Sequence, residues 1–125
     1  MTRRRVVVTG IGIVSPVGIG TEETWAALVA GKSGVGPITQ FDASTYPTRI
    51  AAEVKDFDPT KFMEKKEARR NDRFIHFAMA AGQMAMTDSG IDMAKEDPER
   101  FGAIIGAGLG GLRTIEDEHS VITEK

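Results

Sequence analysis

The chain has 125 residues, 16 of them basic and 18 acidic, and it contains no cysteine. That length allows one domain at most, and the net charge of −2 offers no global field for nucleic acid. The missing cysteine excludes a disulfide frame, a thiolate metal site and a cysteine nucleophile within this sequence.

The start, Met1-Thr2-Arg3-Arg4-Arg5, is basic, but only Val6 to Val8 follow before Thr9-Gly10. No apolar core of a signal peptide is present, and no stretch reaches the ~20 apolar residues that span a bilayer. The expected location is the cytoplasm, with no membrane and no nucleic acid among the partners. Val6-Val7-Val8 is a β-branched run without alternation and predicts a buried, parallel strand. Gly10-Ile11-Gly12 and Ser15-Pro16-Val17-Gly18 turn the chain. Thr21 is a good N-cap, with Glu22 and Glu23 in the first turn where the helix dipole favours anions. A helix from Glu22 to Ala30 would align Trp25, Leu28 and Val29, and Gly31 would stop it as a C′ residue.

Residues 32–58 are less regular. Ser33-Gly34-Val35-Gly36-Pro37 reads as a turn, and Ile50 to Val54 as a short strand with few partners. Asp58-Pro59 starts a helix, which the pattern extends over Lys61 to Arg70. Asp72 would cap a second helix that runs to Asp88 and ends at Ser89-Gly90. Phe74, Ile75, Phe77, Ala78, Met79, Ala80, Ala81, Met84, Ala85 and Met86 surround nearly its whole circumference, which predicts burial on every side. Asp97-Pro98-Glu99-Arg100 is a capped turn. Phe101 to Ala107 reads as a third buried strand, Gly108 to Gly111 as a turn, and Leu112 onward as a helix. Two or three strands and four or five helices in βα order imply an α/β layered sheet. The sheet is too narrow to be a finished layer, so the chain is expected to be part of a longer protein.

Three features invite chemistry. Gly106, Gly108 and Gly111 satisfy G-x-G-x-x-G between a predicted strand and a helix, the dinucleotide-binding pattern. The acidic residue about 20 positions further on, which that pattern requires, is not in the sequence, so a close-packed loop is the plainer reading. Lys66, Arg69, Arg70 and Arg73 stand at i, i+3, i+4 and i+7 and would share one face of a continuous helix. A turn near Asn71 would separate Arg73 from the other three. The alternatives are a docking patch for an anionic partner and a solvated helix face with Glu67 as internal counter-charge. The two histidines, His76 and His119, stand apart; His76 reads as a packed side chain, and neither makes a metal site. Ser15 and Ser120 lack the G-x-S-x-G elbow of a nucleophile. No catalytic residue, metal site or cofactor is assigned.

Taken in order, the motifs resemble a known family. Val6 to Gly18, Trp25 with Leu28 and Gly31, Ser33-Gly34, Phe41-Asp42, Val54-Lys55-Asp56-Phe57, Lys66-Glu67 with Arg69, Asp88-Ser89-Gly90 and Gly106 to Leu112 follow at fitting spacing. The set is similar to the β-ketoacyl-[acyl-carrier-protein] synthases, and most to their elongating type II form. Each motif alone is weak, but the ordered set is specific and covers essentially the whole chain, residues 1–125.

The resemblance implies the N-terminal, incomplete half of a thiolase-like αβαβα fold that works as a homodimer. It implies an acyltransferase that loads an acyl group from acyl carrier protein onto a cysteine, decarboxylates malonyl-carrier protein and joins the two. The family's cysteine and its two histidines lie beyond the residues present, so this chain alone is expected to be inactive. Leu109 matches the bulky residue of a glycine-rich loop that gates the acyl pocket, with Gly108 and Gly110 giving that loop freedom. Lys66, Arg69 and Arg70 match basic positions that receive the acidic carrier protein. Two alternatives stay open. One is a cysteine-free partner that sets chain length in a polyketide system. The other is a nucleotide-binding module built on the Gly106–Gly111 loop.

Overall fold

The structure is a computed structural model that describes residues 3–124; Met1, Thr2 and Lys125 lie outside the described residues. Its regular elements are β1 (Val14–Ser15), β2 (Gly18–Ile19), α1 (Thr21–Val29), β3 (Val35–Pro37), β4 (Ile50–Ala52), α2 (Lys65–Ala68), α3 (Arg73–Ser89) and α4 (Leu112–Thr123). Single 3-10 turns at Pro59–Lys61 and Pro98–Arg100 complete the set.

The expected strand at Val6–Val8 is extended chain without a ladder, and its three valines are exposed. A parallel strand exists only through its neighbours. None runs beside this segment among the described residues. The chain then crosses α3 at very short range. The Ile11 backbone N–H donates to Asp88 Oδ2 at 2.8 Å. A Cβ on Gly10 or Gly12 would overlap the helix backbone at Ala85 or Ala81. Only glycine permits that approach.

β1 and β2 form a tight antiparallel hairpin, with Val14 opposite Ile19 and Ser15 opposite Gly18. The Ser15 hydroxyl donates to the Gly18 carbonyl at 3.0 Å and lies 3.1 Å from the hydroxyl of the buried Thr24. This bonding ties the hairpin to α1 and leaves Ser15 a structural role. Helix α1 begins one residue earlier than expected. Thr21 is its first residue, Gly20 its N-cap, and the Thr21 hydroxyl donates outward to the Ile11 carbonyl. Gly31 follows the C-cap with φ 65°, as its C′ assignment requires. Trp25, Leu28 and Val29 do share a face, but that face is open; Thr24 and Ala27 point inward.

The segment expected to be a turn at Ser33–Pro37 contains a strand. β3 pairs antiparallel with β4, with Val35 opposite Ala52 and Pro37 opposite Ile50. Pro37 sits at the end of the ladder, where its missing N–H costs nothing. Beyond it, the Thr39 hydroxyl and backbone N–H both donate to Glu53. Those bonds, the Thr39 hydroxyl foremost, hold the Glu53 carboxyl below its usual range.

The helix expected over Lys61–Arg70 forms only in part. Asp58 caps the 3-10 turn through the Thr60 N–H at 2.9 Å, and α2 follows as a single turn. Phe57, Phe62 and Phe77 close around this corner, with ring centroids 5.8 Å apart for Phe57–Phe62 and 5.0 Å for Phe57–Phe77. Helix α3 ends as expected, at Ser89 with Gly90 left-handed at φ 65°. Its expected burial on every side is not met: Ala80 is its one fully buried residue, and Met79 is half exposed. The buried apolar residues of the described chain are alanines 27, 43 and 80, so the apolar faces of α1, α3 and α4 are largely open. Residues 101–107, the third expected strand, are likewise extended, exposed and without a strand partner among the described residues.

Candidate functional site

Three of the four basic residues stay together. Lys66 lies on α2, Arg69 is its C-cap and Arg70 follows, and all three are exposed. The turn at Arg70–Asp72 separates Arg73 as expected. The Arg73 guanidinium donates to the Val54 carbonyl at 2.7 Å and lies 5.0 Å from the Phe77 ring centroid. It is therefore spent on packing the corner. The two ion pairs of the described residues are Lys95–Asp92 and Arg113–Asp117, so Lys66, Arg69 and Arg70 have no partner among those residues.

His76 orients this patch. Its Nε2 donates to the Ala68 carbonyl at 2.9 Å, eight residues back, and joins the open C-terminal end of α2 to the first turn of α3. The Asn71 side chain donates to the Glu67 carbonyl at 3.0 Å in the same way. His76 is thus the packed side chain that the sequence suggested, with a definite task. His119 lies on exposed α4, far from any cluster that could hold a metal among the described residues.

The second candidate region is the loop before α4. Gly108, Leu109 and Gly110 border a largely apolar cavity of about 580 Å³, floored by Gly12, Ile13, Phe74, Phe77 and Ala81. Leu109 is 69% exposed at the edge of that space. Gly110 has φ 72°, and a Cβ there would come within 3.6 Å of the Phe74 ring. Next to it, a Cβ on Gly111 would overlap the Asp72 carboxylate, and Asp72 Oδ1 accepts from the Thr114 hydroxyl at 2.7 Å. This arrangement argues against the nucleotide alternative. A pyrophosphate at the start of α4 would meet a carboxylate already seated there. A cleft of about 630 Å³ lies between the β1–β2 hairpin and the 3-10 turn at Pro59; Phe62 of the aromatic corner lines it, but none of the candidate site residues does.

The sequence did not single out Thr114, and it read Asp72 only as a helix cap. Asp72 is the N-cap of α3 by position, but its side chain makes no capping bond there. Asp72 and Thr114 are 42 residues apart. No local pattern announces such a pair.

The model of the β-ketoacyl synthase N-terminal domain matches residues 3–124. The chain belongs to the β-ketoacyl synthase family. Among curated relatives, it is 50% identical over 125 residues to 3-oxoacyl-[acyl-carrier-protein] synthase 2 of Vibrio harveyi. It is 43% identical over 125 residues to the protein of the same name from Synechocystis. It spans 30% of the length of each. Two solved structures are similar over 99% of the chain. The ishigamide ketosynthase/chain length factor matches with TM-score 0.78 and 32% identity, over 31% of that chain. A type II PKS acyl-carrier protein in complex with its ketosynthase, bound to the hexaketide, matches with TM-score 0.76 and 29% identity, over 33% of that chain. The fold is accordingly the N-terminal part of a thiolase-like ketosynthase, as the sequence led one to expect.

Proposed function

We propose that this chain supplies the N-terminal part of an elongating β-ketoacyl-[acyl-carrier-protein] synthase of fatty acid synthesis. Identity of 43–50% along the whole chain to proteins named 3-oxoacyl-[acyl-carrier-protein] synthase 2 is the observation that carries this reading. In the whole enzyme a cysteine thiolate takes the acyl group from one carrier and expels the carrier's thiol. Malonyl-carrier then loses carbon dioxide, and the carbanion attacks the acyl-enzyme carbonyl and expels the cysteine. No residue of this chain is assigned to either step. Its share is reception and gating. Lys66, Arg69 and Arg70 form a free cationic corner that suits an acidic carrier protein, and Leu109 on the Gly108–Gly110 loop closes the acyl pocket. The complete protein works in the cytoplasm as a homodimer.

The test is direct. The full-length protein, given acyl- and malonyl-carrier protein, yields a β-ketoacyl-carrier two carbons longer than the acyl group supplied. Failure to form that product, in a protein that binds both carriers, overturns the reading. The similarity to a ketosynthase/chain length factor supports a second reading, a partner without a nucleophile. A cysteine in the strand-to-helix turn of the full-length sequence distinguishes the enzyme from that partner.

A further inference from the structure

Asp72 departs from the ordinary behaviour of its position. An aspartate at an N-cap usually accepts from the backbone of its own helix. Here that bond is not made, and the carboxylate faces another element. It fills the place a Gly111 side chain would need and accepts from the Thr114 hydroxyl at 2.7 Å. Gly111 is the N-cap of α4 and Thr114 lies in its first turn, where the helix dipole favours an anion. Two residues on, the Phe74 ring lies where a Cβ on Gly110 would come within 3.6 Å of it. The C-terminal half of the glycine loop is therefore held by Asp72, the N-cap of α3, and lies beside Phe74 in the first turn of that helix. Residues 106–109 are exposed, and a Cβ on Gly106 or Gly108 would meet open space.

We propose that Asp72 is a positioning residue for the gate: bonded to Thr114 and seated over Gly111, it fixes the base from which Leu109 moves. The proposal rests on the gating role given to Leu109 above. A loop whose base is held in place starts each closure from the same hinge, which limits where Leu109 can close over the pocket. Without the bond, the base itself shifts and closure against Phe74 and Phe77 becomes loose. Asp72 also stands two residues from Arg70, so the docking corner and the loop share one short anchor in the chain.

The test compares kcat/KM for a long and a short acyl-carrier substrate in the full-length enzyme. Leu109→Ala shifts the ratio of the two and reports on the gate itself. Asp72→Ala and Thr114→Val each shift that ratio by about threefold or more, the range one lost hydrogen bond gives. Thr114→Ser keeps the hydroxyl and retains the original ratio. The Asp72→Ala/Thr114→Val double variant goes no further than Asp72→Ala alone, because the bond that Thr114→Val removes is already lost with the carboxylate. If Leu109→Ala shifts the ratio but Thr114→Val does not, or if Thr114→Ser behaves like Thr114→Val, the positioning role is refuted and the gate stands. An unchanged ratio in Leu109→Ala removes the gate and this proposal together. Should Asp72→Ala fail to fold, the Thr114→Val and Thr114→Ser pair still decides.

Discussion

The corner around α2 and the loop before α4 carry the two sets of candidate residues, and they are held in opposite ways. At the corner, three phenylalanines pack together, Arg73 bridges to Val54, and His76 and Asn71 take the carbonyls of Ala68 and Glu67. The cations are then presented from a braced surface. In the loop region, every residue from 101 to 109 is exposed, and the described side-chain tether is the Asp72–Thr114 bond. A docking surface profits from bracing, since it need not order itself when its partner arrives. A gate profits from few tethers, since it must move.

Three measurements bear on this contrast. The largest effect is expected from reversing the charge of Lys66, Arg69 and Arg70 together in the full-length protein. Carrier affinity falls by about tenfold or more, roughly 1.4 kcal/mol, and the difference shrinks as salt rises. Calorimetric titration at low and high salt reads it, and equal affinity at low salt denies the patch its role. A smaller effect follows from His76→Ala. It leaves the Ala68 carbonyl without its donor, costing about 1 kcal/mol in denaturant unfolding and loosening α2 in hydrogen exchange. Exchange at residues 106–109 stays as it was, because the His76 hydrogen bond reaches Ala68 and not that loop. His76→Gln, which keeps a donor, recovers part of the loss.

The smallest effect concerns the hairpin β3–β4 beside the corner. Glu53 has its carboxyl lowered, chiefly by the Thr39 hydroxyl and then by the Thr39 N–H. A lowered carboxyl stabilises the fold above its unfolded pKa, and this help is lost as pH falls through the folded value. Once the slower intrinsic exchange of amides in acid is allowed for, the hairpin amides are therefore less protected in acid than at neutral pH. Thr39→Val removes most of that acid sensitivity; an unchanged acid response assigns it to another carboxylate.

Comparing the strands explains what a sequence pattern conveys. Val6–Val8 and Phe101–Ala107 carry the strongest strand signals, yet neither forms a ladder, whereas the weak strand pattern at Ile50–Ala52 pairs with Val35–Pro37, which reads as a turn. The apolar runs specify a need for burial between neighbours, which are not found among the described residues. The β3–β4 hairpin is antiparallel and finds its partner within a dozen residues. Likewise, the wholly apolar α3 is at its expected place but lacks the cover its composition demands.

The sequence alone determined the places of α1, α3 and α4, the caps at Asp58 and Gly90, the separation of Arg73 from the other cations, and the family, through ordered motifs from Val6 to Leu112. These are local properties or long runs of them, and both survive in one dimension. Only the tertiary structure decided that His76 bonds back to Ala68, that Arg73 is spent on Phe77, and that Asp72 leaves its own helix to hold Gly111 and Thr114. Each depends on where two distant segments cross. A side chain with a local partner on offer, as Asp72 has, gives no sign in the sequence that it will take a remote one.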